Sequence, residues 1–226
     1  MSDYTPGIAV VLSGCGVYDG AEVHESTLTL LALDRQGATY QCFAPNINQA
    51  HVINHISGET SPETRNVLVE SARIARGAIK DLKEFDAADY DAIIFPGGFG
   101  AAKNLCTFAF DGADCSVNDD VGAALKAVHN AGKPIAALCI APVIISHIFQ
   151  GAKVTIGQDQ ETIDAIQAMG GAHEPATHGE VVIDNTLRLV TSPCYMLDAT
   201  ISQIADGTDN AVRALLDMVN KDREAA

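Results

Sequence analysis

Short apolar runs alternate with helical segments along this chain, and that alternation limits the possible fold more than any other feature of the sequence. Residues 7–13 read as a buried parallel strand, because the run is apolar without the two-residue alternation of a half-exposed strand. Residues 21–35 follow with Val23, Leu28, Leu31 and Leu33 in a helical setting, stopped by Gly37. Residues 38–43 read as the second strand and residues 91–95 as the next buried one. Ser116 with Asp119 opens a helix through Asn130 that Gly132 closes, and Pro134 starts the strand that follows. Val154 and Thr155 read as a short strand and residues 161–169 as a helix. Residues 181–184 and 187–191, split by Asn185-Thr186, predict a hairpin ahead of a C-terminal helical pair. Strand and helix in alternation predict an α/β fold, an open and mainly parallel sheet with helices on both faces.

The length of 226 residues, 47% of them hydrophobic, suits a single domain over 1–226 with a full core. Residues 44–89 are the least regular part and read as an insertion on the sheet. Within them Ser61-Pro62-Glu63 predicts a helix start, with serine at the N-cap and proline in the first turn, and Gly77 a stop.

Pro134-Ile-Ala-Ala-Leu-Cys-Ile-Ala-Pro142 is a buried strand turning sharply towards a helix, with Cys139 at the corner. Such a corner lies at the carboxyl edge of a parallel sheet, where doubly wound proteins bind ligands, and a helix N-terminus there favours thiolate over thiol. Free cysteine is also a small, commonly buried hydrophobe, so the local pattern fits both filler and nucleophile. His24 and Glu25 open the first helix at the same sheet edge. An acidic residue in a first helical turn is also ordinary, since the helix dipole favours it.

The other motifs exclude function classes. A formal net charge of −15 repels nucleic-acid phosphates and anionic membrane surfaces, so a small polar or neutral ligand is expected. Gly14-Cys-Gly-Val-Tyr-Asp-Gly20 approaches the dinucleotide fingerprint, but its third glycine comes one residue late, and Asp19, Glu22 and Glu25 would repel a pyrophosphate. Residues 97–103 lack the Gly-Lys-Ser/Thr ending of a phosphate loop. The seven histidines show no metal-binding spacing, and the six cysteines, Cys15, Cys42, Cys106, Cys115, Cys139 and Cys194, form no Cys-x-x-Cys pair. No metal or cofactor is therefore expected. The cysteine usage, with no basic region and only a short apolar run near the N-terminus, leads to a cytoplasmic expectation. A homodimer is the expected assembly, as the commonest state of small enzymes.

Residues 20–25, 95–105 and 137–142 together resemble the superfamily of DJ-1, PfpI proteases and class I glutamine amidotransferase domains. Residues 13–20, 63–67 and 193–197 are similar to its enhancing-lycopene-biosynthesis branch, also called isoprenoid biosynthesis glyoxalase. The resemblance covers nearly the whole chain. It implies a flavodoxin-like three-layer sandwich, a cysteine nucleophile elbow and cofactor-independent conversion of glyoxal to glycolate. It further implies Cys139 as nucleophile, Glu25 as its carboxyl partner and the backbone N–H groups of Gly98 and Ile140 as an oxyanion hole. The histidine that follows the cysteine in the proteases is Ile140 here, and the one that DJ-1-type glyoxalases carry after the next strand is Gly157. His24 is the candidate substitute. A carboxylate beside a thiolate is repulsive, so Glu25 is expected to be protonated and to donate to the sulfur.

A second reading makes Cys139 a redox-sensing thiol, with Cys15 or Cys194 as resolving partners and, with Tyr195, as pocket residues. Removal of sugar-derived adducts from proteins is a third reading. An amidotransferase subunit would need a histidine that this pattern does not supply.

Overall fold

The computed structural model describes residues 4–225. The first half contains β1 (Gly7–Val11), α1 (Val23–Arg35), β2 (Thr39–Ala44), α2 (Val67–Ile74), β3 (Ile79–Asp81) and β4 (Ala92–Phe95). The short helices α3 (Phe99–Lys103) and α4 (Phe108–Asp111) come next, then α5 (Asp119–Asn130), β5 (Ile135–Leu138) and α6 (Pro142–Ile148). The chain ends with β6 (Lys153–Val154), α7 (Gln160–Ala168), β7 (Ala172–His173), β8 (Val182–Asp184), β9 (Leu189–Ser192) and α8 (Ile201–Ala225).

Seven strands form one sheet in the order β3-β2-β1-β4-β5-β9-β8, parallel except for the β8–β9 pair, and β6 and β7 form a separate two-stranded ribbon. The central strands are apolar on both faces because helices cover both: residues 8–11 of β1, all of β4 and all of β5 are buried. The result is the flavodoxin-like three-layer arrangement. Register matters for function. Phe95 lies opposite Ala137, and Leu138 opposite Ser192, so β4, β5 and β9 end at one edge. The segments starting at Gly97, Cys139 and Cys194 leave the sheet side by side.

Four expectations need correction. The second helix starts at Val67, not at Ser61, because Asn66 Oδ1 accepts the Val69 N–H at 3.0 Å. Ser61 is instead held in a ribbon, its N–H donating to Val52 O at 2.7 Å beside the Ile53–Thr60 bridge. Gly77 does end the helix, with a φ of 83° and its N–H on Ala72 O. Residues 44–89 are not wholly an insertion, since β3 forms the sheet edge against β2. Asn118 rather than Ser116 caps α5, accepting the N–H groups of Asp120 and Val121 at 3.0 and 3.2 Å. The predicted C-terminal pair is one continuous helix, α8. Gly207 lies inside it, where a Cβ would come within 3.3 Å of Ser192 Oγ. Its lack of a side chain allows α8 to sit close on β9.

Candidate functional site

Three residues separate the end of β5 from the start of α6, too few for a relaxed turn. Cys139 therefore adopts a left-handed backbone with φ 58°, a conformation that costs a non-glycine residue about 1–3 kcal/mol. Its neighbours hold it there: Cys139 N–H donates to Ser192 O at 2.9 Å, and Ala141 N–H to Leu138 O at 2.9 Å. The apolar β5, buried throughout and pinned between β4 and β9, fixes the strand end, and Pro142 fixes the helix start. The elbow expected from sequence is present.

Glu25 reaches this elbow from the first turn of α1. Glu22 caps that helix, accepting Glu25 N–H on Oε2 at 2.7 Å, while Glu22 N–H donates to Gly97 O at 2.9 Å. These two bonds tie α1 to the turn after β4. The Glu25 carboxyl is fully buried and accepts Gly97 N–H on Oε2 at 3.0 Å and Tyr195 N–H on Oε1 at 3.1 Å. Gly97 makes this approach possible, because a Cβ there would lie 2.6 Å from Glu25 Oε2 and 2.9 Å from Cys139 Sγ. Gly98, with φ 97°, then turns the backbone so that its N–H faces the Cys139 sulfur. Ile140 N–H has no protein acceptor among the described residues. Gly98 thus supplies one backbone donor facing the thiol, and the N–H of Ile140, the residue after Cys139, is left without a protein acceptor.

Burial dominates the electrostatics. It pushes the Glu25 carboxyl up to about 7, against the two backbone hydrogen bonds it accepts. Burial, and then the Glu25 charge, push the Cys139 thiol well above its ordinary range, which the Gly98 N–H opposes. The helix terminus alone therefore does not produce a thiolate, contrary to the sequence-based expectation. Cys139 is only 6% exposed and α6 is a short helix. The buried pair tolerates one negative charge. With the thiol pushed further up than the carboxyl, that charge rests on Glu25 while the sulfur keeps its proton, contrary to the expected protonated Glu25 beside a thiolate.

The other expected site residues are distributed unevenly. Tyr195 joins the site twice, through its N–H on Glu25 and through its side chain in the cleft wall. His24 does not reach the sulfur; its Nδ1 hydrogen-bonds Tyr195 Oη at 2.8 Å and so holds that ring. Among the described residues no histidine hydrogen-bonds Cys139. Gly157, with φ 84°, packs against Leu197, where a Cβ would be 2.9 Å from a Leu197 methyl. Cys194 is buried near Glu25 and the Cys139 backbone, behind the cleft rather than in its lining. Cys15 is a correction: Glu70, Arg73 and Asp19 surround its thiol, and it does not line the cleft. The loop closes by Gly20 N–H on Gly16 O at 2.7 Å, which presents Val17 to the cleft and Cys15 to the α2 side.

A cleft of about 320 Å³ opens over Cys139. Val17, Phe99, Phe108, Ile140 and Met196 make most of its wall apolar, with Asp159, Thr162 and Tyr195 supplying polar groups. Sequence reasoning missed Asp159 and Thr162, which bond each other at 2.6 Å across the start of α7. Their only signal was the Asp-x-x-Thr spacing of an N-cap, which says nothing of the cleft. Glu22 was read only as a charge. No group of three or more His, Cys, Asp or Glu side chains among the described residues is placed to hold a metal ion.

Comparison with known proteins gives this geometry a family. The DJ-1/PfpI family pattern matches residues 17–198. The human "Glutamine amidotransferase-like class 1 domain-containing protein 3, mitochondrial" is 49% identical over 224 residues, covering 95% of this chain and 84% of that protein. The crystal structure of an isoprenoid biosynthesis protein with an amidotransferase-like domain from Ehrlichia chaffeensis superposes with a TM-score of 0.87. It is 35% identical, with 94% of this chain and 99% of that one covered. Glyoxalase III from Candida albicans shares the fold, with a TM-score of 0.59 at 16% identity over 92% of this chain and 97% of that one. The cytoplasmic expectation is overturned: the human relative, and those from rat and zebrafish, are named mitochondrial proteins. The chain belongs to the DJ-1/PfpI family.

Proposed function

We propose that this DJ-1/PfpI chain is a cofactor-independent glyoxalase that converts glyoxal to glycolate through Cys139. The observation that carries the reading is the strained Cys139 elbow, with the Glu25 carboxyl against its sulfur and the Gly98 N–H facing it. Cys139 passes its proton to the Glu25 carboxylate as it attacks, so that in the reactive form Glu25 holds the proton and donates to the thiolate. The thiolate adds to one aldehyde carbon, and the oxyanion of the resulting hemithioacetal is stabilised by the Gly98 and Ile140 N–H groups. Glu25 gives its proton to that oxyanion, and the carboxylate so formed takes the carbon-bound proton of the attacked centre and returns it to the second carbon through an enediol. The product is the thioester of glycolate, which water cleaves to glycolate and free thiol. His24 has no direct part in these steps, because its ring is engaged by Tyr195.

Glycolate production from glyoxal by the full-length protein and by Cys139→Ser tests the proposal. A loss of roughly 10³-fold or more is expected in the variant. Equal turnover by the two proteins refutes the mechanism, and absence of glycolate from the unsubstituted protein refutes the activity.

A further inference from the structure

A second thiol centre lies on the far side of the cleft wall. Cys106 forms an antiparallel bridge with Val117, flanked by Thr107 N–H on Ser116 O and Asn118 N–H on Leu105 O, both at 2.9 Å. Cys115 is two residues before Val117, which puts it on the same face as Cys106 in the diagonal position. The two thiols are neighbours close enough for each to shift the other's ionisation. Cys106 Sγ also donates to Ala101 O at 3.3 Å, and Cys115 Sγ lies 3.6 Å from His147 Nδ1. Both cysteines are buried, at 3% and 4% exposure, but His147 is half-buried. It lines a surface hollow of about 460 Å³ with Asn118, Gly122 and Lys126. A small oxidant in that hollow meets the imidazole beside Cys115.

We propose that Cys106 and Cys115 form a reversible disulfide, an oxidation site separate from the Cys139 elbow that fixes the cleft wall formed by residues 107–114. Diagonal residues on one face of an antiparallel pair are about 7–8 Å apart, just beyond the usual disulfide Cα separation of about 7 Å or less. Bonding therefore draws together the ends of the segment that carries Phe108 and Ala109, both of which line the cleft.

The chemistry balances with a peroxide as oxidant. The Cys115 thiol gives its proton to His147, and the thiolate attacks the peroxide O–O bond, forming a sulfenic acid and expelling an alcohol or water that takes the proton. The Cys106 sulfur then attacks the sulfenic sulfur, forming the S–S bond and releasing water with its own proton. Two thiols lose two electrons, and one O–O bond is reduced. The order of attack follows from the geometry: Cys115 Sγ has an imidazole nitrogen at 3.6 Å to take its proton, whereas the Cys106 thiol is held protonated on Ala101 O at 3.3 Å and is deeply buried. Besides His147, Asp111 and Asp114 face Cys115, and both oppose its ionisation.

The test uses full-length Cys139→Ser, which removes the elbow thiol and leaves five of the six cysteines. After hydrogen peroxide treatment, free thiols should fall from five to three. Digestion without reductant should yield one linked peptide pair, Cys106 to Cys115, which dithiothreitol separates. Introducing Cys115→Ser should leave Cys106 as a free thiol under the same treatment. His147→Gln should slow disulfide formation about tenfold and raise the pH at which Cys115 is alkylated, with Cys115 alkylation at fixed high pH unchanged. Hydrogen exchange of residues 107–114 should decrease in the oxidised protein. Unchanged free thiols, a link between any other cysteines, or sulfinic acid in place of the disulfide overturns the proposal. Unchanged exchange over 107–114 overturns the fixing of the wall.

Discussion

Cys139 and Cys115 are both buried thiols, and the group beside each sulfur separates what they can do. Cys139 faces a carboxyl, which shares one proton with the sulfur in a site closed by Gly97. Cys115 faces an imidazole and a second thiol, next to a surface hollow. A carboxyl can return the proton it takes, which suits addition to a carbonyl and proton movement between carbons. An imidazole with a resolving thiol suits loss of electrons and formation of a disulfide. Burial alone therefore does not decide whether a cysteine is filler or chemistry; the partner does.

The largest expected effect breaks the comparison if it fails. Cys139→Ser should remove glyoxal turnover by roughly 10³-fold or more, while Cys115→Ser should change it by less than about threefold in reduced protein. Glycolate formation under dithiothreitol measures both. Similar losses in the two variants would mean that the centres are one functional unit.

Glu25→Gln sharpens the comparison from the side of the partner. It should lower turnover about 10²-fold, and it should alter stability in a pH-dependent way. Burial raises the Glu25 pKa from 4.5 to about 7, so between these values the folded protein holds a proton that the unfolded chain has released. The stability contributed by protonated Glu25 is complete below pH 4.5 and lost as pH rises through 7, a difference of about 3 kcal/mol. Urea unfolding at pH 4.5 and 7.5 should show the unsubstituted protein losing about that much relative to Glu25→Gln. A parallel pH dependence in the two proteins would exclude a buried, titrating Glu25.

Gly97→Ala tests the closeness of the pair itself. The new Cβ would sit 2.6 Å from Glu25 Oε2, so carboxyl and sulfur must separate. A displacement of about 1 Å in a reacting geometry costs roughly 10² in rate. Iodoacetamide labelling of Cys139 against pH should lose its dependence on Glu25, and retention of that dependence would mean that the cradle accommodates a methyl.

The elbow was legible because its ingredients are local. An apolar strand, a cysteine and Pro142 within nine residues specify a strand-to-helix corner, and paired glycines after β4 specify a close approach. Glu25 as partner came from resemblance, since a first-turn acid is ordinary on its own. What was not legible depends on packing between distant segments. The bond between His24 and Tyr195 spans 171 positions, and no periodicity encodes it. Cys106 and Cys115 gave no signal because their meeting depends on an isolated bridge, not on a strand with a pattern. The Ser61 cap was outcompeted by Asn66, whose side chain was free to bond Val69 while Ser61 was held in the ribbon.

The smallest effect concerns how the imidazole near the elbow differs from the one near Cys115. His24 contacts the Tyr195 hydroxyl, and only the Tyr195 backbone touches Glu25. Tyr195→Phe removes the hydroxyl but leaves that backbone donor, so the loss should be near the net value of one exposed hydrogen bond, about 1 kcal/mol at most. Turnover should fall less than about tenfold, with the change appearing in KM because Tyr195 lines the cleft. His24→Ala should give the same change, and the double variant no further loss, since both remove one contact. A loss approaching that of Cys139→Ser in His24→Ala, with Tyr195→Phe mild, would make His24 a proton carrier in its own right. The elbow would then use an imidazole as well as a carboxyl, and the distinction between the two thiol centres would narrow to the presence of a resolving cysteine.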